Sequence, residues 1–264
     1  MTPDIKGPGE EEALAEGSLI SHLVELRNRL LWAAGAILVI FICLVPFSET
    51  IFTLIATPLM DKLPEGATMI ATQVASPFLT PFKTTLFAGL FLAMPVVLTQ
   101  IWHFVAPGLY RKEKRFALPL ILSSIVLFYV GVSFAYFVVF PLMFGFFAAV
   151  APEGVTMMTD ISSYLDFILT LFFAFGLAFE VPIATVMLVW SGLVPVETLA
   201  RARVYVFLGA FVMGMLLTPP DVISQTLLAV PVYLLYESGL LMARMFGPSD
   251  EGEDEDDVPP AADD

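Results

Sequence analysis

Residues 118–128, LPLILSSIVLF, and residues 167–179, FILTLFFAFGLAF, form two apolar runs without a single charge. They belong to a chain of 264 residues that is 58% hydrophobic, with a mean hydropathy of +0.86. A soluble domain is usually about half apolar, and it alternates apolar with polar residues to make a surface. Because these runs leave no such surface, the sequence predicts an all-α membrane protein.

The apolar runs are long enough to count as membrane spans. A helix needs about 20 apolar residues to cross a hydrocarbon core that is ~30 Å thick. The last two runs are shorter and would reach only about 21–23 Å at ~1.5 Å per residue, so we expect a thinned bilayer or protein over their ends. The sequence therefore predicts six transmembrane helices, at about 30–47, 84–106, 117–147, 164–190, 204–217 and 222–236.

The basic residues predict the orientation of these spans. With six spans, one set of ends carries nine lysines and arginines, whereas the opposite set carries only Lys62 and Lys83. Basic residues accumulate on the cytoplasmic side, so we expect both termini in the cytoplasm. The nine are Arg27, Arg29, Arg111, Lys112, Lys114, Arg115, Arg201, Arg203 and Arg244.

Prolines shape both the first outer connection and the spans. Residues 48–83 are too long for a plain loop, and four prolines divide them into short amphipathic pieces, so we expect a structured periplasmic cap. Proline inside a span removes a backbone hydrogen bond and kinks the helix. Several kinked helices would form a concave, cupped bundle. The prolines within spans are Pro95, Pro119, Pro141, Pro182 and Pro231.

The two ends of the chain are strongly acidic. Five acids face one lysine in residues 1–17, and nine acids without a base follow Gly247, so the tails carry nearly all of the net charge of −14. Such like-charge runs bury too little apolar area to offset their ordering entropy. We expect disordered tails at 1–17 and 248–264 around a membrane domain at 18–247.

Enzymatic signatures are lacking in the sequence. The motifs of zinc proteases, serine hydrolases, nucleotide-binding loops and dinucleotide-binding folds are absent. His22 and His103 are too few for a histidine metal cluster, and Asp166 with Asp221 makes a weak pair for an intramembrane protease. The sequence predicts no enzyme, cofactor, metal or nucleic-acid partner.

Three acids occupy unusual places. Glu180 lies within the fourth span, where an ionised carboxyl costs a few kcal/mol. The sequence leaves two interpretations open. The carboxyl takes part in transport or in contact with a partner, or it forms hydrogen bonds with backbone groups that Pro182 leaves unpaired. Glu25 lies on the polar approach to the first span. Glu113 is flanked by four bases, for which local charge balance is the plainer interpretation.

Six segments in register resemble TatC, the multispanning subunit of the twin-arginine protein translocase. The resemblance extends over about residues 18–244 and leaves out only the acidic tails. The segments are 21–31 (SHLVELRNRLL), 67–81 (ATMIATQVASPFLTP), 101–110 (IWHFVAPGLY), 134–147 (FAYFVVFPLMFGFF), 175–182 (FGLAFEVP) and 209–226 (GAFVMGMLLTPPDVISQT).

The resemblance implies a receptor for signal peptides with paired arginines, on the cytoplasmic face of the bacterial inner membrane. Glu25 and Glu113 would contact the signal peptide, with Phe104 and Arg27 beside them. Two carboxylates near a partly dehydrated interface suit two guanidinium groups, since bidentate geometry favours Arg over Lys. The resemblance therefore changes the interpretation of Glu113 from local charge balance to a contact with the signal peptide.

The resemblance also implies further sites and partners. Glu180 would line the concave face, while Pro58 and Asp221 match outer positions associated with activity, although a helix breaker and a helix cap are their architectural alternatives. Single-span TatA-type and TatB-type subunits, and further copies of the chain, are the implied partners. Export of folded proteins would use the proton motive force. The alternative is a secondary transporter moving a small solute past Glu180. The implied partner contacts are Met215, Thr218 and Gln225.

Overall fold

The computed structural model describes residues 8–60, 69–105, 114–150, 158–218 and 221–246. Within these ranges the protein is built from helices, with a single isolated backbone bridge between extended residues. A short 3₁₀ turn, Val45–Phe47, joins the first two helices, and a π-helical turn, Ala135–Val139, joins the fourth and fifth. The helices are α1 (Pro8–Leu44), α2 (Ser48–Met60), α3 (Ser76–Val105), α4 (Lys114–Phe134), α5 (Phe140–Val150), α6 (Ile161–Ala178), α7 (Val181–Trp190), α8 (Val196–Arg201), α9 (Arg203–Leu217) and α10 (Val222–Phe246).

Five helical segments of the described chain are long and apolar enough to cross a membrane. Helix α9 is apolar but has only 15 residues, which at ~1.5 Å per residue gives about 22 Å. The expectation of a short fifth span therefore agrees with the structure. The five long segments are Ile20–Thr57, Ser76–Val105, Leu118–Phe147, Ile161–Trp190 and Val222–Met245.

The last helix is longer than the sequence predicts. The predicted span ends at about 236, but α10 continues to Phe246 and has 25 residues. Its acid is paired: Arg203 donates to one carboxylate oxygen of Glu237 at 2.9 Å, and the Tyr233 hydroxyl donates to the other at 2.9 Å. The prediction of an undersized sixth helix is wrong, since α10 extends past Glu237, whose charge is paired with Arg203.

The amino-terminal boundary also differs. Helix α1 begins at Pro8, whereas the sequence predicts disorder over 1–17. Residues 10–16, EEEALAE, are strong helix formers, and acids near a helix start are favourable for its dipole, which accounts for the helical backbone. Residues 1–7 and the predicted tail at 248–264 lie outside the described residues, so their disorder stays a prediction.

Two of the five span prolines mark interruptions in their helices. The π-helical turn Ala135–Val139 precedes Pro141, and a turn at residues 179–180 separates α6 from α7 just before Pro182. The other three lie inside helices that continue past them.

Helix α6 is the centre of the bundle. It packs on α3 and α4, whereas α1 lies at the edge and packs on α3. Along its whole length, α6 buries side chains at helical spacing. By contrast, apolar side chains of α1 such as Trp32, which is 73% exposed, are left largely uncovered by protein. The buried set is Tyr164, Leu165, Ile168, Leu169, Leu171, Phe172, Phe175 and Gly176.

Two glycines allow α4 and α6 to approach closely. A Cβ at Gly131 would lie 2.5 Å from the Phe175 carbonyl oxygen, and a Cβ at Gly176 would lie 2.5 Å from the Phe128 ring. Lipid tails are as apolar as a protein core, so helix association in a membrane relies on such close packing rather than on removal from water. The α4–α6 contact therefore depends on the absence of two side chains.

The connection predicted to lie outside the membrane is tied down at two points. Helix α2 packs on α3, and residues 70 and 160 form a parallel bridge. One Asp160 carboxylate oxygen accepts from the Thr72 amide at 3.0 Å and from its hydroxyl at 2.9 Å, while the other accepts from the Ser163 amide at 3.1 Å. These bonds, the Thr72 amide foremost, lower the pKa of Asp160 to about 2.

Replacing Gly131 with alanine should destabilise the bundle. The new methyl group would overlap a backbone carbonyl, which cannot rotate away, and overpacking of this kind costs about 1–3 kcal/mol. We expect a lower melting temperature for purified Gly131→Ala protein in detergent. Gly145→Ala is the control, because nothing lies within 4 Å of its Cβ. Equal melting temperatures for the two variants would contradict the close contact.

Asp160→Asn should remove a pH-dependent contribution to stability. The folded pKa of about 2 lies below the ordinary value of 3.8, so the carboxylate stabilises the fold above about pH 4 and loses this effect as the pH falls towards about 2. We expect the melting temperatures of wild type and variant to differ most near neutral pH and to converge in acid. Glu49→Gln, an exposed acid on α2, is the control. A constant difference across this range would count against the assignment.

Candidate functional site

Four side chains meet where α1 lies against α3. His22, Glu25 and Arg29 follow one another at three- and four-residue spacing, so they share one face of α1. The Phe104 ring of α3 stacks on His22, with ring centroids 4.3 Å apart and planes 20° apart. We call these four residues the α1–α3 patch.

Glu25 is already paired within the patch. Arg29 Nε and Nη2 both donate to Glu25 Oε1, at 2.9 and 2.5 Å, so Oε2 lies outside the pair. The Glu25 side chain is 44% exposed, and an exposed ion pair of this kind contributes little to stability because water screens the charges. Another cation can therefore compete for this carboxylate at little cost.

The structure places the other predicted contacts differently. Phe104 reaches the neighbourhood of Glu25 by stacking on His22. The sequence suggested His22 only as a candidate metal ligand, but the position of His22 three residues before Glu25 already indicated that the two share a helix face. Arg27 is exposed and donates to Asn28 Oδ1 at 3.3 Å, and side chains two residues apart on a helix do not face each other. Glu113 lies outside the described residues, so its approach to Glu25 stays a prediction.

Glu180 occupies the turn between α6 and α7. Its amide donates to the Leu177 carbonyl at 3.0 Å, and Pro182 stands two residues later. The residue is 8% exposed, and its Oε2 accepts a 2.5 Å hydrogen bond from Ser124 Oγ. Glu180 is thus buried against α4, and the expectation that it lines the concave face stays a prediction. Ser124, rather than a backbone group freed at Pro182, binds the carboxyl.

Trp102 extends this arrangement to a third helix. Its indole Nε1 donates to Ser124 Oγ at 2.7 Å. The three side chains therefore connect the end of α3, the middle of α4 and the α6–α7 turn.

The predicted partner contacts lie around the turn between α9 and α10. Met215 is 53% exposed, whereas Thr218 is 6% exposed and donates to the Gly214 carbonyl at 2.8 Å. Gln225 Nε2 donates to the Phe211 carbonyl at 2.7 Å. Met215 is therefore open to a neighbour, whereas Thr218 bonds back onto α9 and Gln225 ties α10 to α9.

The two outer positions have architectural surroundings. Asp221 Oδ1 accepts from the Ser224 amide at 2.6 Å, the hydrogen bond expected of a helix cap. Pro58 lies two residues before the end of α2 at Met60, so this helix continues past it. Asp166, the other member of the weak protease pair, binds Lys83 Nζ at 2.5 Å.

An apolar groove lies between α6, α9 and α10. It has a volume of about 580 Å³, and its walls include Phe173, Met213 and Leu228, but not Glu180. Among the residues that the structure describes, no group of three or more His, Cys, Asp or Glu side chains could hold a metal ion.

Comparison with known proteins gives a consistent relationship. Residues 21–231 match the family described as Sec-independent protein translocase protein (TatC). The Sec-independent protein translocase protein TatC of Azotobacter chroococcum mcd 1 is 61% identical over 222 residues, which are 84% of this chain and 87% of that protein. The TatC of Escherichia coli strain K12 is 56% identical over 228 residues, 86% of this chain and 88% of that protein.

A solved structure shares the fold. The crystal structure of a twin-arginine translocase receptor, TatC, superimposes with a TM-score of 0.77 at 37% identity. The match covers 85% of this chain and 98% of that one.

Proposed function

We propose, because this chain belongs to the TatC family, that it is the signal-peptide receptor and assembly core of a twin-arginine translocase. The chain is a membrane-embedded component of a Sec-independent protein translocase. The proposal adds that it receives signal peptides with paired arginines and exports folded proteins across the bacterial cytoplasmic membrane, driven by the proton motive force. It makes and breaks no covalent bond.

The α1–α3 patch is the observation that carries this proposal. A half-exposed carboxylate stands beside a stacked pair of rings, His22 and Phe104. A guanidinium group can bind the carboxylate with two donors while its plane lies over an aromatic face. Lysine offers a point charge without the planar fork, so the patch favours arginine.

The bond between Arg29 and Glu25 supports the same assignment. It demonstrates that a guanidinium fits the Glu25 carboxylate with two donors, and its low stability permits exchange with an incoming arginine. The second arginine of the peptide is assigned to Glu113. Arg27 adds a positive charge at the same end of the protein, but its side chain does not face Glu25.

The orientation of the protein follows from the charges near the patch. Arg27 and Arg29 belong to the basic set of helix ends, so this end is assigned to the cytoplasm with both termini. Signal peptides are made there. The patch is thus on the side where its proposed ligand arrives.

The partner assignment rests on the α9–α10 turn. We assign Met215 to contact with single-span TatA-type and TatB-type subunits, since it is exposed on a helix only 15 residues long. Thr218 and Gln225 act there by holding the end of α9 and joining α10 to α9. Pro58 and Asp221 are assigned architectural roles, and further copies of the chain complete the assembly.

The sequence left a small-solute transporter open as an alternative. Such a transporter needs a polar cavity at Glu180. The groove beside α6 is apolar and is not lined by Glu180, so this observation does not favour the alternative.

Glu25→Gln should weaken binding of a peptide with paired arginines severalfold. The change removes the negative charge, so the peptide's guanidinium keeps at most a neutral hydrogen bond, which is weaker than a charge-assisted one. The measurement is site-specific crosslinking of the signal peptide in membranes, with Arg→Lys peptides for comparison. Glu113→Gln tests the second carboxylate, and Glu49→Gln on α2 is the control. Unchanged crosslinking and export in the Glu25→Gln, Glu113→Gln double variant would overturn the receptor assignment.

Phe104→Ala should weaken the same crosslink severalfold, whereas Phe104→Tyr should retain most of it. Alanine removes the ring that stacks on His22, but tyrosine keeps it. The melting temperature of each variant separates loss of binding from loss of fold. Equal crosslinking by the alanine variant would exclude an aromatic contribution.

A further inference from the structure

Three polar side chains are buried together inside the membrane-spanning bundle. Trp102 is 7% exposed, Ser124 is fully buried and Glu180 is 8% exposed. They form a linear series of hydrogen bonds, 2.7 Å from Trp102 Nε1 to Ser124 Oγ and 2.5 Å from Ser124 Oγ to Glu180 Oε2. Burying polar groups costs free energy unless they are hydrogen-bonded, and these bonds pair the indole N–H, the serine hydroxyl and one carboxyl oxygen.

The chemistry of the three groups sets the direction of the series. An indole N–H can only donate, and a serine hydroxyl has one hydrogen. Since Trp102 occupies Ser124 as an acceptor, the Ser124 hydrogen is free to point to Glu180, and Oε2 accepts it. Removing Trp102 would release Ser124 from this orientation.

The second carboxyl oxygen is in a different position. Glu180 Oε1 is buried, and it has no hydrogen-bond partner among the described residues. One oxygen of the carboxyl is therefore held by α4, and the other remains available for a hydrogen bond.

The backbone at Glu180 is fixed as well. Pro182 has no N–H, so the helix ladder is interrupted at this point. On the opposite side, a Cβ at Gly239 of α10 would lie 2.8 Å from the Pro182 Cα. The turn that carries Glu180 is thus clamped between α10 and the Trp102–Ser124 pair.

We propose that Trp102 and Ser124 are positioning residues for Glu180. They hold Oε2 against α4 and present Oε1 to a hydrogen-bond donor on a segment that enters the membrane domain. This rests on the proposed function, to which it adds a contact between Glu180 and a single-span partner subunit. Trp102 also lies two residues before Phe104 on α3, so the same helix end carries the patch and the orienting indole.

The test follows the Glu180 carboxyl directly. Protein labelled with ¹³C-glutamate is reconstituted in lipid nanodiscs, and the infrared band that disappears in Glu180→Gln is assigned to Glu180. We expect this band to shift in Ser124→Ala and in Trp102→Phe, and to return towards the wild-type position in Ser124→Thr, which keeps a hydroxyl. Ser123→Ala is the matched control, because Ser123 is an exposed neighbour that donates to the Pro119 carbonyl.

Export of a folded twin-arginine substrate is measured for the same variants. We expect a severalfold loss in Ser124→Ala, rescue in Ser124→Thr and no change in Ser123→Ala. If Ser124→Ala fails to fold, the Trp102→Phe, Ser124→Ala double variant removes both partners and leaves no unpaired indole.

The outcomes separate the two claims. A Glu180 band that stays in place in the variants overturns the positioning role. A band that shifts while export is unchanged, with signal-peptide crosslinking intact, overturns the use of Glu180 in translocation but not the geometry. Loss of signal-peptide crosslinking in Glu25→Gln bears on the receptor assignment alone.

Discussion

Lipid tails offer no hydrogen-bond partner, so each polar group inside a bilayer must be satisfied by the protein itself. This constraint accounts for the helical architecture and for the pairing of the acids. Glu180 is bound by Ser124, and Glu237 is bound by Arg203 and Tyr233. Each of these acids thus has a hydrogen-bond partner on another helix.

The same constraint explains how the helices associate. Apolar burial gains little when the alternative is lipid, so contact depends on close approach and on hydrogen bonds between helices. Gly131 and Gly176 bring α4 to α6, and the serine beside this contact reaches Glu180. Packing and polar pairing therefore support each other at the centre of the bundle, whereas the α1–α3 patch lies at its edge, where side chains can exchange partners.

Much of the fold was predictable from the sequence, and the errors have a common physical cause. The apolar runs correctly predicted a helical membrane protein with a short helix before the last one. The last span was predicted to end at about 236, but α10 passes Glu237, which is paired with Arg203 on α9, and ends at Phe246. The partner of Glu180, Ser124, was not predicted, because it lies on another helix. The place of His22 in the α1–α3 patch was not predicted, because it depends on stacking with Phe104, which lies on another helix.

The sequence by itself determined that the chain enters a membrane, roughly where its helices cross, and which family it resembles. It could do so because hydropathy and motif spacing are local properties that add up along the chain. Only the tertiary structure decided which polar groups meet: Ser124 with Glu180, 56 residues apart, and Arg203 with Glu237, 34 residues apart. Those pairings depend on distances between packed helices, and in lipid these distances are set by small residues and by the hydrogen bonds themselves.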